Sequence, residues 1–119
     1  MRRQIVAVAV AVLLSFVGRS AWGETLYTVT DLGTLPGGTA MSEARGINAS
    51  GQVVGVSYAS YDNYHAFLYS NGAMADLGTL GGSESKAFGI NASGQVVGWS
   101  STSSSGSIHA FRYTGLCKC

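Results

Sequence analysis

The amino-acid sequence predicts an all-β fold assembled from tandem repeats. Three observations support this prediction. The chain repeats itself at a period of about 44 residues, the scale of known repeat architectures. Glycine accounts for 17 of its 119 residues, and only 11% are charged, against about 7% glycine and about 25% charged residues in an average globular chain. Beyond the N-terminal segment the apolar residues follow no helical period, and so many glycines oppose helix formation.

Residues 1–23 have the organisation of a secretory signal peptide. Two arginines near the start precede an apolar run from Ile5 to Val17, and small residues precede a cleavage site after Gly23. A helix over this run would be about 20 Å long, short of the roughly 30 Å hydrocarbon core, so a membrane anchor is the less favoured alternative. We therefore expect an exported protein, secreted or displayed on the cell surface, whose mature chain begins at Glu24.

The mature chain predicted by this cleavage carries a small negative charge. It has four basic and six acidic residues, a difference of −2. Nucleic-acid binding depends on basic residues clustered on one face, which this distribution does not provide. We expect no nucleic-acid partner.

Three motifs occur twice in the same order, which identifies the internal repeat. Their spacings are 45, 43 and 44 residues, and the copies are Asp31–Leu35 with Asp76–Leu80, Gly46–Gly55 with Gly89–Gly98, and His65–Phe67 with His109–Phe111. Such self-similarity is the signature of a repeat architecture. We divide the mature chain into a first repeat with its leading strand, residues 24–75, and a second repeat, residues 76–119.

Each repeat contains four short segments with the composition of strands. They are rich in Val, Ile, Phe, Tyr and Thr and are bounded by Gly, Asn and Ser. The predicted strands of the first repeat are Leu26–Leu32, Glu43–Asn48, Gln52–Ser57 and His65–Tyr69, and those of the second are Ala73–Leu77, Lys86–Asn91, Gln95–Ser100 and His109–Tyr113.

The turn between the second and third segments is the most closely specified local structure. Residues 48–51 and 91–94 both read Asn-Ala-Ser-Gly. The Asn side chain can accept backbone N–H bonds as an Asx turn, and the Gly can adopt a positive φ. We predict hairpin loops of three or four residues closed by a bulge. The same residues match a glycosylation acceptor, but the turn explains them without modification.

Four strands in each repeat match the size of a β-propeller blade, which is about 40–45 residues. A blade lies between two neighbours, which explains the continuous apolar run Val-Val-Gly and gives the glycines a packing role between adjacent sheets. A β-solenoid with two coils per repeat is the alternative, and a β-sandwich ranks third because it gives no reason for a sequence repeat. We expect about two blades and therefore an incomplete propeller, since closure needs at least about four.

The quoted motifs resemble the bacterial HAF repeat, a family of extracellular proteins named for the His-Ala-Phe triplet. The resemblance covers residues 26–113. It implies secretion or surface display and tandem blade-like repeats, and it carries no reaction, cofactor or catalytic residue. After Tyr113 the pattern stops before another Asp-Leu-Gly strand, so we expect a fragment of a longer protein that self-associates when expressed alone.

The residues that could support catalysis do not form a recognisable motif. His65 and His109, like Asp31 and Asp76, recur at equivalent positions, so we expect them to make repeated structural contacts. The sequence contains no G-x-S-x-G, no phosphate-binding loop and no zinc-ligand spacing. We expect no catalytic, cofactor-binding or metal-binding residue, no cofactor and no enzyme activity. A small secreted hydrolase with a site on the repeat loops is the alternative.

Aromatic residues near the loops suggest a binding surface. Tyrosine and tryptophan offer a large apolar area with a polar tip, which suits contacts with sugars and proteins. The expected function is therefore a binding or structural module whose partner is a surface glycan or a protein. The candidate contact residues are Tyr58, Tyr61, Tyr64 and Trp99.

Overall fold

The computed structural model describes residues 26–38, 41–103 and 105–115. The chain divides into two compact units, residues 1–32 and residues 33–119. In the first unit, the described residues 26–32 form no strand, so the leading strand predicted at Leu26–Leu32 is wrong. A strand needs a partner for its backbone hydrogen bonds. Residues 73–78, the counterpart of this segment in the second repeat, do form a strand because they pair with the strand that precedes them in the chain.

The described residues of the second unit form seven strands in two antiparallel sheets. The first sheet has the order β1-β2-β3-β4 and the second has the order β5-β6-β7. No described residue is helical, so none belongs to a helix that could cross a membrane. The all-β prediction is confirmed, and the other seven predicted strands match within one residue at each end. The strands are β1 (Ser42–Ile47), β2 (Val53–Tyr58), β3 (Tyr64–Ser70), β4 (Ala73–Gly78), β5 (Ser85–Ile90), β6 (Val96–Ser101) and β7 (Ile108–Tyr113).

Both predicted Asn-Ala-Ser-Gly hairpins are confirmed. The Gly51 N–H donates to the Asn48 carbonyl at 3.0 Å, and Asn48 Oδ1 accepts from the Gln52 N–H at 3.0 Å. Gly51 has a φ of 84°, which a residue with a Cβ rarely adopts. The turn at 91–94 repeats this arrangement, and its Gly94 has a φ of 82°. The asparagine side chain and the glycine therefore fix the β1–β2 and β5–β6 connections.

A two-residue turn joins β3 to β4. Asn71 and Gly72 have φ values of 52° and 83°, and Ser70 pairs with Ala73 across them. Two consecutive positive φ values are the conformation of a type I′ hairpin, which suits the twist of antiparallel strands. This turn places β4 in the first sheet, so the expected repeat boundary between residues 75 and 76 falls inside β4.

Each sheet contains a β-bulge in its first strand, at Arg45 in β1 and at Phe88 in β5. Across the first bulge, a Cβ atom at Gly55 would overlap the carbonyl of Glu43, and Gly98 stands in the same position at the second bulge. These two glycines are therefore required within their own sheets. The packing role between adjacent sheets that we expected of the glycines does not apply at these two positions.

The two sheets pack through faces that are not equivalent. Val54 and Ala66 lie on one face of the first sheet and are fully buried in a core shared with Val96 of the second sheet. Their counterparts in the second sheet, Val97 and Ala110, lie on the face opposite to Val96 and are exposed. In the first sheet we call the face that carries Val54 and Ala66 the front face, and in the second sheet the face that carries Val97 and Ala110. The opposite face of each sheet is its back face. The front of the first sheet thus packs on the back of the second.

Candidate functional site

An open pocket of about 140 Å³ lies where the front face of the first sheet meets β5, an edge strand of the second. Val56 and Ser57 are buried at its base, while its tyrosines and lysine are partly exposed. Both apolar and charged side chains face it, so it can contact apolar and polar parts of one ligand. We call it the seam pocket, lined by Met41, Glu43, Val56, Ser57, Tyr58, Tyr64 and Lys86.

Two tyrosines form one side of the seam pocket. Tyr58 ends β2 and Tyr64 begins β3, and the two residues are directly paired in the antiparallel register. Their ring centroids are 6.1 Å apart and the rings are nearly perpendicular, a favourable edge-to-face arrangement. The connecting loop is closed by the Ala59 N–H, which donates to the Asn63 carbonyl at 2.8 Å. The β2–β3 hairpin therefore holds both rings in fixed positions.

Lys86 lies between the aromatic rings of the two sheets. Its Nζ is 4.9 Å from the centroid of the Tyr64 ring and 5.8 Å from that of Trp99, which pairs with Lys86 across β5 and β6. Both distances are within the range of a cation–π interaction. No carboxylate of the described residues forms an ion pair with Lys86. Its ammonium group therefore keeps hydrogen-bond donors for a ligand.

Two carboxylates balance the positive charge near the pocket. Glu43 Oε1 accepts from Arg45 Nε at 3.0 Å and from Arg45 Nη2 at 2.8 Å. Glu84 lies near Tyr64, where burial, and then the interaction with the Glu84 carboxylate, raise the pKa of the Tyr64 phenol. The formal charges of Arg45, Lys86 and the two glutamates therefore sum to zero.

Three of the four predicted contact residues surround this region. Tyr58 and Tyr64 line the seam pocket, and Trp99 contacts Lys86 at its edge. Tyr61 does not join them, because it lies at the tip of the β2–β3 loop with 86% of its surface exposed. Sequence reasoning missed Lys86, although its strand position directly opposite Trp99 was an available signal.

A histidine–aspartate pair lies on the back face of the first sheet. His65 Nδ1 is 2.9 Å from both carboxylate oxygens of Asp76, and Ser57 is paired with His65 in the register. The Ser57 hydroxyl, however, accepts from the Leu35 N–H at 2.9 Å and donates to the Tyr58 carbonyl at 3.1 Å. Because the backbone occupies this buried hydroxyl, the three side chains do not form a nucleophile–base–acid array.

The second sheet repeats the serine contact. The Leu80 N–H donates to Ser100 Oγ at 2.8 Å, as the Leu35 N–H does to the first-sheet serine. His109 is exposed and has no side-chain hydrogen bond to another described residue. The part of the chain that the structure describes also holds no group of three or more potential metal ligands. A repeated hydrogen bond was expected at the histidine position, and the serine makes one instead.

No protein-family model, curated protein or solved structure matches the chain. What the fold and the site define is an antiparallel β-protein of two stacked sheets with an aromatic pocket at their junction.

Proposed function

We propose that this chain is an exported, non-catalytic β-repeat protein whose sheets stack as propeller-like blades and serve as a binding or structural module. The front-to-back packing of the two sheets carries the proposal. In a β-sandwich, both sheets direct their apolar faces into one shared core. Here the front of the second sheet still presents Val97 and Ala110. Because front meets back, another sheet can be added by the same contact.

The connectivity within the first sheet supports a blade rather than a solenoid coil. Its four strands are consecutive in the chain and pair as an antiparallel meander. A propeller blade is a four-stranded sheet of this size. The solenoid proposed as the alternative instead stacks successive coils.

Hydrogen bonds between the sheets also favour a repeatable junction. The Ala66 N–H of β3 donates to Ser85 Oγ at 2.8 Å, and that hydroxyl donates to the Gly78 carbonyl at 2.6 Å. Ser42, the counterpart of Ser85, donates to the Gly33 carbonyl at 2.7 Å. The same serine position thus contacts the Asp-Leu-Gly motif in both repeats.

Export and family membership rest on the sequence. The basic and apolar order of residues 1–23, which lie outside the described residues, supports secretion or surface display. The repeated motifs support a relationship to the extracellular HAF repeats. The backbone bonds of Ser57 favour a binding or structural role over the alternative hydrolase. The proposed partner is a surface glycan or a protein, and the exposed front face of the second sheet favours self-association.

Sedimentation velocity tests the stacking proposal. We expect the full chain to form oligomers at high concentration, and we expect Val97→Lys to shift the distribution towards monomer because it places a charge on the front face. Ala92→Lys adds the same charge in an exposed turn and should leave the distribution unchanged. A parent chain that stays monomeric at all concentrations, or two variants that behave alike, would contradict the proposal.

N-terminal sequencing of the exported chain tests the proposed localisation separately. The first residue should be Glu24 or a close neighbour. An exported product that keeps Ile5–Val17 would contradict cleavage, and a product retained entirely inside the cell would contradict export.

A further inference from the structure

We infer that the seam pocket binds one ring of a neutral carbohydrate, as a subsite for a longer glycan. This inference rests on the proposed role as an exported binding module and names its ligand class. The observation behind it is the combination around one small pocket of two tyrosine rings, a carboxylate oxygen and an ammonium group that has no carboxylate partner among the described residues.

The size of the pocket limits the ligand to a small group. Pockets for drug-sized molecules enclose about 300–1,000 Å³, whereas this pocket has about 140 Å³. One monosaccharide ring entering from the open side matches this space, and the rest of the glycan would lie on the surface.

The apolar side of the pocket suits the C–H face of a sugar ring. Tyr58 and Tyr64 are half-buried and held at the ends of paired strands, so their rings lose little freedom when a ligand binds. Met41 adds an adaptable apolar side chain at the same pocket. A pyranose can pack its C–H groups against these side chains while its hydroxyls face the polar residues.

The polar side offers both donors and acceptors. Lys86 has no carboxylate partner among the described residues, so its ammonium can donate to sugar hydroxyls. Both Arg45 bonds go to Glu43 Oε1, which leaves Glu43 Oε2 as an acceptor. A hydroxyl group both donates and accepts and therefore uses both residues.

Local charge favours a neutral ligand. An acidic sugar would gain the attraction of Lys86 but would also approach the carboxylates of Glu43 and Glu84. A cationic ligand would meet Lys86 itself. Because the two glutamates offset Arg45 and Lys86, the pocket has no net charge with which to favour an ion.

Titration of the full chain with cellohexaose, chitohexaose, laminarihexaose and maltohexaose tests the inference, with hexagalacturonate as the anionic comparison. Binding can be followed by calorimetry and by the tryptophan fluorescence of the chain, which comes from Trp22 and Trp99. We expect at least one neutral hexasaccharide to bind with a Kd of about 1 mM or below, since a single-ring subsite gives weak affinity. Hexagalacturonate should bind more weakly than that sugar.

Variants of the pocket separate this site from other surfaces. Lys86→Met keeps the aliphatic stem and removes the donor, and Tyr58→Leu removes one ring. Each should weaken binding at least tenfold. Tyr61→Leu is the matched control, because this tyrosine lies in the same loop away from the pocket. It should leave the affinity unchanged. Glu43→Gln preserves side-chain size and should weaken binding severalfold. It leaves the aromatic rings unchanged, so its effect does not depend on the aromatic packing.

Three outcomes would overturn the inference: no neutral hexasaccharide binds with a Kd of about 1 mM or below, hexagalacturonate binds as tightly as the best neutral sugar, or Lys86→Met, Glu43→Gln and Tyr61→Leu have equal effects. The sedimentation and export results are independent of these titrations. A chain that is exported and stacks but binds no sugar would contradict the ligand assignment alone, whereas sugar binding by a monomer would contradict the stacking proposal alone.

Discussion

The two sheets carry the same motif in different surroundings. Val54 and Val97 occupy the same position of the repeat, yet Val54 is fully buried and Val97 is 49% exposed. The alanines of the two His-Ala-Phe triplets differ in the same way, because Ala66 is buried and Ala110 is exposed. The repeat sequence therefore encodes a sheet with two apolar faces. Whether a face becomes core depends on the neighbouring sheet.

The rims of the two sheets differ in composition. Tyr58 and Tyr64 of the first sheet correspond to Ser101 and Ile108 of the second, and each pair is directly opposed in the strand register. The serine that anchors the preceding loop is present in both sheets. The repeats thus share this serine, which also lines the seam pocket in the first sheet, and differ at the two tyrosine positions of the pocket. This division is consistent with a common scaffold carrying one specialised surface.

The largest effect expected from a single substitution is at Gly55, the β2 glycine that lies across from the β1 bulge. We call Gly55 the bulge glycine. In Gly55→Ala, the new methyl group would overlap the Glu43 carbonyl, which is backbone and cannot rotate away. We expect the free energy of unfolding to fall by about 3 kcal/mol or more, as in severe overpacking. Urea denaturation of the full chain measures this loss.

The control for the bulge glycine is Gly89→Ala. At this strand glycine the added Cβ would meet only Val97 Cγ2, at an ordinary contact distance of 3.5 Å. Its cost should stay below about 1 kcal/mol. Equal losses in the two variants would show that the bulge does not require glycine.

The comparison between Val54 and Val97 gives the next largest difference. Val54→Ala removes two methyl groups from the core between the sheets and should lower the free energy of unfolding by about 2 kcal/mol. Val97→Ala alters an exposed position and should cost less than about 0.5 kcal/mol. Urea denaturation at low protein concentration measures both. A cost for Val97→Ala that grows with protein concentration would indicate that another copy covers the front face.

The sequence was sufficient for seven of the eight strands because their local signals agree with their pairing. The eighth predicted strand, Leu26–Leu32, was wrong because the recurrence of a motif does not indicate which neighbouring strand each copy pairs with. In the first sheet the pairing of β4 is determined by the turn at Asn71-Gly72. The positive φ values of these two residues form the tight turn that joins β3 to β4. Reading that dipeptide as a type I′ turn would have assigned residues 73–78 to the preceding strand.

The candidate site was less accessible to sequence reasoning than the fold. Tyr58, Tyr64 and Trp99 could be selected as aromatic residues near loops. Lys86 pairs with Trp99 across β5 and β6, but it reaches Tyr64 only because β5 packs against the first sheet. Tyr61 had the same local signals as its two neighbours and lies apart from them. Local composition does not encode which loop residues turn inward, since that depends on packing between the sheets.

A smaller effect is expected at the asparagines of the two hairpins. Each asparagine Oδ1 accepts backbone N–H bonds within its own turn. Only Asn48 also donates across the sheets, from Nδ2 to the Asn91 carbonyl at 3.0 Å. Asn48→Asp keeps the acceptor and removes the donor. It should therefore destabilise the chain by about 1 kcal/mol more than Asn91→Asp.

Chemical denaturation of these two asparagine variants isolates the contact between the sheets. Both lose a bond to a glutamine in their own turn, so that loss cancels in the comparison. Equal costs would mean that the bond to the Asn91 carbonyl contributes nothing measurable to the junction.

The smallest effect concerns the alkaline limit of the seam pocket. Burial and the Glu84 carboxylate raise the pKa of Tyr64, with Tyr58 adding to the shift. Lys86 faces the same ring, but the net direction remains upward. The folded chain therefore holds this proton more tightly than the unfolded chain, whose tyrosine titrates near pH 10. The resulting stabilisation is fully present below pH 10 and is lost as the pH rises through the folded-state pKa.

Tyr64→Phe should make the free energy of unfolding fall less steeply above about pH 10, by a few tenths of a kcal/mol per pH unit. Tyr61→Phe, at an exposed position of the same hairpin, is the matched control and should follow the parent curve. Urea denaturation between pH 8 and pH 11 measures the slopes, and identical slopes for Tyr64→Phe and the parent would remove Tyr64 as the source of this pH dependence.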